Sequence, residues 1–237
     1  MESKWQLFFR KLETYPILLF AIAILGILGF FLLSTDQKKN PRIYLSLSII
    51  VLVAFYENLA GFFGSQGISN SWVYNLFNGH VSAVLFFFLI RNFLKEKYHK
   101  NVVLAFLVLF LLLSGMLHLL GFVHFNDGGE YISFINTVLI LCSCGLYFFE
   151  LITLDEFLEI NPLQEFSFWA CTAILFYFSS SFMIYISVTY LYTNHLDIYW
   201  MVTEIPKTMA ILCNLLLCFS IFSFVIKDKY HLEIVHV

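Results

Sequence analysis

The fold is decided by stretches such as residues 102–124, VVLAFLVLFLLLSGMLHLLGFVH, which contains no Asp, Glu, Lys or Arg. A helix rises about 1.5 Å per residue, so a segment of this length crosses the roughly 30 Å hydrocarbon core of a bilayer. Segments of similar length and apolarity recur along the chain, and the predicted spans cover 15–34, 43–63, 72–94, 102–124, 131–152, 165–192 and 201–226. The sequence therefore predicts an all-α, polytopic membrane protein with its seven transmembrane helices in one bundle.

The composition of the whole chain supports lipid as its main solvent. The 237 residues are 60% hydrophobic and 12% charged, whereas soluble domains average about 45–50% apolar and about 25% charged residues. The lipid bilayer is therefore the first expected partner. The net charge of −3 provides no basic field for nucleic acid, so no nucleic-acid partner is expected.

The chain divides into three parts around the spans. Residues 1–14 are predicted to be an N-terminal interfacial segment, because 4–13 are basic and aromatic. Residues 15–226 form the seven-helix domain, and 227–237 form a short cytoplasmic tail. No zinc spacing, nucleotide loop or catalytic triad is present, so non-enzymatic functions are favoured. Neither a cofactor nor an oligomeric state follows from the residues.

The basic residues orient the predicted bundle. Those that follow the first, third and seventh spans fall on one side, and they are Lys38, Lys39, Arg42, Arg91, Lys95, Lys97, Lys100, Lys227 and Lys229. The loops on the other side contain no Lys or Arg. The positive-inside rule then predicts the N-terminus outside and the C-terminus in the cytoplasm.

Polar residues inside the spans are predicted to share one layer, roughly 4–10 Å from the midplane toward the outside. They are Glu57, Asn58, Asn78, His80, His118, Asn136 and Lys207. The opposite half of the spans is mostly Phe, Leu, Ile and Val. The pattern predicts a ligand-binding polar pocket that opens outward and closes toward the cytoplasm.

Two interpretations of these residues stay open at this point. Buried Asn78 and Asn136 can simply tie helices together, at about 0.6 kcal/mol per hydrogen bond. Glu57 costs at least about 2.5 kcal/mol in a helix centre unless it is paired or protonated. Its expected counter-charge is Lys207, for which Glu204 at i−3 is a competing local partner. Glu57 is thus either half of an ion pair or a ligand or proton site.

A metal site is not predicted. Glu57, His80 and His118 are residue types that bind zinc or iron. However, no two of them lie at i and i+4 on one helix. An intramembrane metal-dependent enzyme is therefore kept only as a second alternative function.

Three stretches resemble a family of uncharacterised small seven-helix membrane proteins of Bacteroidota. They are WVYNLFNGHVSAVLFFFLIRNF (72–93), NPLQEFSFWACTAILFYFSSSF (161–182) and the segment around Glu57. The resemblance covers roughly 44–225, although related sequences often carry an acid near Gly79 and His80, which this chain lacks. Because members are often encoded beside sensor histidine kinases, the resemblance implies a bacterial inner-membrane protein and a histidine kinase or other signalling protein as partner.

The leading functional hypothesis is a sensor or receptor-like module. A small ligand would enter the outward pocket, and a partner at the basic 91–101 loop or the acidic 153–164 loop would detect the change. The first alternative is a transporter or channel for a small solute or protons.

Overall fold

The computed structural model describes residues 14–124, 130–154 and 165–234 of the chain. Within these ranges, seven helices are long and apolar enough to span a membrane. Their bounds are Thr14–Leu32 (α1), Pro41–Ser65 (α2), Ser71–Phe93 (α3), Lys97–Leu119 (α4), Glu130–Thr153 (α5), Phe166–Asn194 (α6) and Leu196–Ile234 (α7). The prediction of an all-helical chain with seven apolar helices is confirmed, as expected for a multi-pass membrane protein.

Most helix ends lie within a few residues of the prediction, and the seventh helix is longer than predicted. The predicted interfacial segment, residues 1–14, lies outside the described residues except for Thr14, which begins α1. The seventh helix runs through most of the predicted tail, because α7 continues to Ile234. At about 1.5 Å per residue, the 39 residues of α7 extend about 58 Å, much more than a bilayer core needs.

Local signals explain where the helices begin and end. The side chain of Asn40 accepts a hydrogen bond from the Arg42 N–H at 3.0 Å, and Pro41 occupies the first turn of α2. This combination is favourable at a helix N-terminus because Pro lacks an N–H that would need a partner. Gly67 after α2 and Gly121 after α4 adopt φ near +70°, the left-handed conformation that ends helices.

The helices form a ring in chain order. Each helix contacts the next one, and α7 closes the ring on α1; α2 also contacts α7, and α3 also contacts α5. We call the end of the bundle where α1 begins and α2 ends the N-terminal face, and the other end the opposite face. The predicted outward side corresponds to the N-terminal face.

Three helices, α1, α2 and α7, pack closely toward the opposite face. A Cβ at Gly29 would lie 3.1 Å from the ring of Phe222 on α7, and a Cβ at Gly26 would lie 3.4 Å from Leu47 on α2. The Cys218 thiol on α7 lies 3.8 Å from the Ile22 carbonyl oxygen on α1. Small residues thus let α1, α2 and α7 approach closely at this depth.

A buried carboxylate joins three helices at the opposite face. Glu150 of α5 is fully buried, and its oxygens accept hydrogen bonds from the backbone N–H groups of Lys95 at 2.6 Å and Glu96 at 3.1 Å. The ring Nδ1 of His99 lies 2.7 Å from the same carboxylate. Since helix N-termini leave N–H groups without helical partners, Glu150 caps α4 and holds the 94–96 turn in place.

The third helix departs from regular α geometry. Its residues Tyr74–Ser82 form a π-helix between two α-helical segments. Within it, Asn75, Gly79 and Ser82 are buried in the bundle, whereas Asn78 is partly buried. π-Helical segments are rare and are often found at functional sites.

Candidate functional site

A cavity of about 630 Å³ lies between five helices and reaches the N-terminal face. Its described lining residues come from α1, α2, α3, α6, α7 and the turn before α3. They are Tyr15, Pro16, Glu57, Ala60, Gly61, Gly64, Ser65, Asn70, Tyr74, Asn78, Tyr177, Ser181, Tyr185, Pro206 and Lys207. Its volume falls in the range of about 300–1,000 Å³ that is usual for small-molecule sites.

Glu57 is the acidic group in the lining, and two tyrosines hold it. The Tyr15 hydroxyl of α1 donates to Oε1 at 3.2 Å, and the Tyr74 hydroxyl of α3 donates to Oε2 at 3.0 Å. Each carboxylate oxygen therefore has a donor from a different neighbouring helix. Charge-assisted hydrogen bonds of this kind stabilise a carboxylate that has lost part of its water.

The second polar contact in the wall involves Asn78. Its Oδ1 accepts a hydrogen bond from the Tyr56 hydroxyl at 3.2 Å, which joins α2 to the π-helical part of α3. Tyr56 is buried, and its ring meets that of Tyr74 edge to face at 6.0 Å between centroids. Glu57 and Asn78 are therefore positioned by one set of aromatic side chains.

Lys207 lines the same cavity and forms an ion pair with the competing local partner that the sequence offers. Its Nζ lies 2.8 Å from Glu204 Oε1, one turn earlier on α7. The Glu204 carboxylate, at i−3, is therefore in contact with Lys207, and Glu57 accepts hydrogen bonds from two tyrosine hydroxyls. Glu57 and Lys207 share a cavity, and a direct ion pair between them stays a prediction.

Asn58 lies beside Glu57 in sequence and has a different role. Its Nδ2 donates to the Ala54 carbonyl oxygen at 2.8 Å and to the Pro16 carbonyl oxygen at 3.4 Å. The second contact joins α2 to α1. Asn58 is absent from the cavity lining and ties two helices together.

The predicted histidines form a separate cluster on the α4 side of α3. His80 Nε2 lies 2.6 Å from Ser114 Oγ, and its ring stacks on that of His118 at 5.9 Å. His80 Nδ1 lies 2.7 Å from the Asn75 carbonyl oxygen. Because a carbonyl can only accept, Nδ1 carries the proton.

The predicted layer is thus divided between two places. Glu57, Asn78 and Lys207 line the cavity, whereas His80, His118 and Asn136 lie outside its lining. The physical reason is the order of the helices: α4 and α5 pack on α3 and contribute nothing to this lining. Residues at one depth share a site only if their helices border the same space.

The grouping of Glu57, His80 and His118 as metal ligands is not found. In ranges 14–124, 130–154 and 165–234, no three His, Cys, Asp or Glu side chains come together as a metal site would require. The two histidines stack on each other, and Glu57 faces the tyrosines instead. The metal-dependent enzyme has no ligand cluster in this part of the chain.

Sequence reasoning missed the tyrosines that dominate the lining, which are Tyr15, Tyr74, Tyr177 and Tyr185. A usable signal existed on the sixth helix, since Tyr177, Ser181 and Tyr185 follow a spacing of i, i+4 and i+8 and so share one helix face. None of these four tyrosines was among the predicted site residues. Comparison with protein-family models, curated proteins and solved structures finds no match to this chain.

Proposed function

We propose that the protein is a receptor-like sensor of a bacterial inner membrane, which binds a small molecule in this cavity and signals through a partner protein. The observation that carries the proposal is a cavity whose described lining reaches the N-terminal face and lies in the half of the bundle next to that face. Tyr15, Ser65 and Asn70 bring the lining to the N-terminal face, while Gly26 and Gly29 mark close packing nearer the opposite face. A site of this form suits binding and release on one side.

The orientation supports an outward-facing site. Lys95 and Lys97 flank the turn between α3 and α4 at the opposite face, and both are exposed. By the positive-inside rule, this face would lie in the cytoplasm, and the cavity would open to the outside. The ligand would then come from outside the cytoplasm.

The seventh helix offers a route from the cavity to a partner. Pro206 and Lys207 line the cavity, and the same helix continues to Ile234 beyond the opposite face of the bundle. Because Pro206 lacks an N–H, the helix is weakened at this point and bends at low cost. A ligand that contacts this wall would shift the distal part of α7.

A transporter is the second candidate, and one observation favours it. Two interrupted helices border the cavity, since Tyr74 and Asn78 lie in the π-helix of α3 and Pro206 lies within α7. Interrupted helices are common at the substrate sites of transporters. Transport would require the packing around Gly26 and Gly29 to open, which the sensor does not require.

Co-purification with a matched pair of variants tests the sensor. Tagged protein, cross-linked in native membranes, should recover a signalling protein such as a histidine kinase. Lys95→Glu at the opposite face should reduce that recovery, whereas Ser69→Glu in the exposed turn at the N-terminal face should not. A chain recovered without a partner, together with solute flux in proteoliposomes that Glu57→Gln abolishes, would contradict the sensor and favour the transporter.

A further inference from the structure

The described lining of the cavity is polar, and most of its polar groups are uncharged. Hydroxyl and amide side chains outnumber the charged ones, and they are Tyr15, Ser65, Asn70, Tyr74, Asn78, Tyr177, Ser181 and Tyr185. The charged residues of the described lining, Glu57 and Lys207, have opposite formal charges. A lining of this kind favours a ligand that forms several hydrogen bonds and carries no net charge.

The amide of Asn78 supplies hydrogen-bond donors. Its Oδ1 accepts a hydrogen bond from the Tyr56 hydroxyl at 3.2 Å, which fixes the side chain through its oxygen. The amide nitrogen of an asparagine carries two N–H donors. Because Asn78 lines the cavity and its contact with Tyr56 uses the oxygen, Nδ2 can donate to a molecule in the cavity.

Three lining residues supply acceptors, because their described hydrogen bonds use only their donor atoms. Asn70 Nδ2 donates to the Ala60 carbonyl oxygen at 3.1 Å, and the Ser181 hydroxyl donates to the Tyr177 carbonyl oxygen at 3.0 Å. The Tyr15 hydroxyl donates to the carboxylate of the lining at 3.2 Å. Amide and hydroxyl oxygens keep lone pairs in such contacts. The lining therefore presents acceptors as well as the Asn78 donors.

Small residues and aromatic rings border the same space. Ala60, Gly61 and Gly64 line it from α2, and Tyr177 and Tyr185 line it from α6. A tyrosine combines an apolar ring with a polar hydroxyl. The C–H faces of a sugar ring pack against rings of this kind, while the sugar hydroxyls bond to the polar groups between them.

We infer that the cavity binds a neutral, polyhydroxylated molecule such as a sugar or a polyol. Every hydroxyl of such a ligand is both a donor and an acceptor, so it can pair with the Asn78 amide at one point and with Asn70 or Ser181 at another. A volume of about 630 Å³ is usual for a small-molecule site. The inference rests on the proposed function, because it names the ligand class of the same site.

Protection of an introduced thiol measures binding in the full-length protein. Ser181→Cys places a thiol in the lining with a change of one atom, and Ser69→Cys places one in the exposed turn at the N-terminal face, outside the described lining. Both variants, in phosphatidylcholine nanodiscs, react with uncharged methyl methanethiosulfonate, and the wild-type chain gives the background from its own cysteines. The probes are glucose, galactose, ribose, myo-inositol, sorbitol and sucrose, with n-butylammonium, norvaline and butyrate as charged comparisons.

We expect at least one polyol to slow the modification of Ser181→Cys about tenfold at saturation, because a ligand that fills the cavity excludes the reagent. The Ser69→Cys rate should not change, which excludes a general effect of sugars as co-solvents. Nanodiscs that contain monogalactosyl diacylglycerol test a second source of the same chemistry, and protection there alone would assign a lipid headgroup. A reactive thiol that no polyol protects, dissolved or lipid-borne, would overturn the inference, as would slowing by the charged compounds alone. A thiol that the reagent does not reach in folded protein would contradict the open cavity and thus the proposed function.

A matched pair of variants in the Ser181→Cys chain tests the contact itself. Asn78→Leu removes the amide from the lining and also the hydrogen bond with Tyr56, whereas Tyr56→Phe removes that hydrogen bond and leaves the amide in place. Asn78→Leu should raise the half-protecting concentration of the polyol about tenfold, and Tyr56→Phe should change it by less than about twofold. The rate without polyol checks that each variant keeps the cavity. Equal effects of the two substitutions would show that Asn78 acts only through the wall and would overturn the inference.

Discussion

The Tyr74 hydroxyl donates a hydrogen bond to Glu57 Oε2 at 3.0 Å and so connects α3 to α2 across the wall of the cavity. Tyr15 makes the corresponding contact from α1 to the other oxygen at 3.2 Å. The Glu57 carboxylate thus connects α1, α2 and α3 at the wall of the cavity. A group placed at that junction serves both the stability of the wall and the recognition of a ligand.

Tyr74→Phe should lower the free energy of unfolding by about 1 kcal/mol, because the ring stays and one hydrogen bond to a charged group is lost. Denaturation of the purified protein in mixed micelles measures the change. Tyr98→Phe is the control, since Tyr98 is 73% exposed. Equal effects of the two substitutions would show that the Tyr74 hydroxyl contributes nothing to the wall.

Glu150→Gln should be more damaging, with a loss of about 2–3 kcal/mol, because a fully buried carboxylate accepts two backbone hydrogen bonds and contacts His99. Glutamine keeps the shape but loses the charge and one acceptor oxygen. Glu96→Gln is the matched control in the same turn, since the Glu96 side chain is exposed. If the two variants unfold at the same denaturant concentration, Glu150 does not cap α4.

Gly29→Ala should destabilise the protein by about 1–2 kcal/mol, because the new methyl group would lie 3.1 Å from the Phe222 ring. Gly26→Ala, whose nearest neighbour would be 3.4 Å away, should change the stability by less than about 0.5 kcal/mol, since alanine also favours the helix. The pair reports how closely α1 and α7 pack nearer the opposite face. Two neutral substitutions would indicate space there and would contradict close packing of α1 toward the opposite face.

The seven long apolar helices were predictable because lipid thickness imposes both a length and a composition on a segment that crosses a bilayer. Glu57, Asn78 and Lys207 were predictable as cavity residues because polar groups at that depth must avoid lipid. The depth of a residue in the bundle, however, does not determine whether its helix lines the cavity. His118 and Asn136 were therefore grouped with a site that their helices do not line.

Two features of the structure could not be predicted from the periodicity of the sequence. The π-helix at Tyr74–Ser82 changes the number of residues per turn, so the regular spacing assumed for α3 no longer assigns its faces. The sequence offers Glu204 as a local partner of Lys207, but the donors to Glu57 depend on how α1 and α3 pack against α2. Tyr15 and Tyr74 come from different spans, and only the packed bundle brings them to one carboxylate.

The most direct test of the central claim is the side from which an impermeant reagent reaches Ser181→Cys in sealed vesicles of known orientation. The account predicts modification from the N-terminal face and a rate from the opposite face no higher than the wild-type background, because the described lining lies in the half of the bundle next to the N-terminal face. Modification of the same thiol from the opposite face would contradict a one-sided pocket and would identify a path through the bundle.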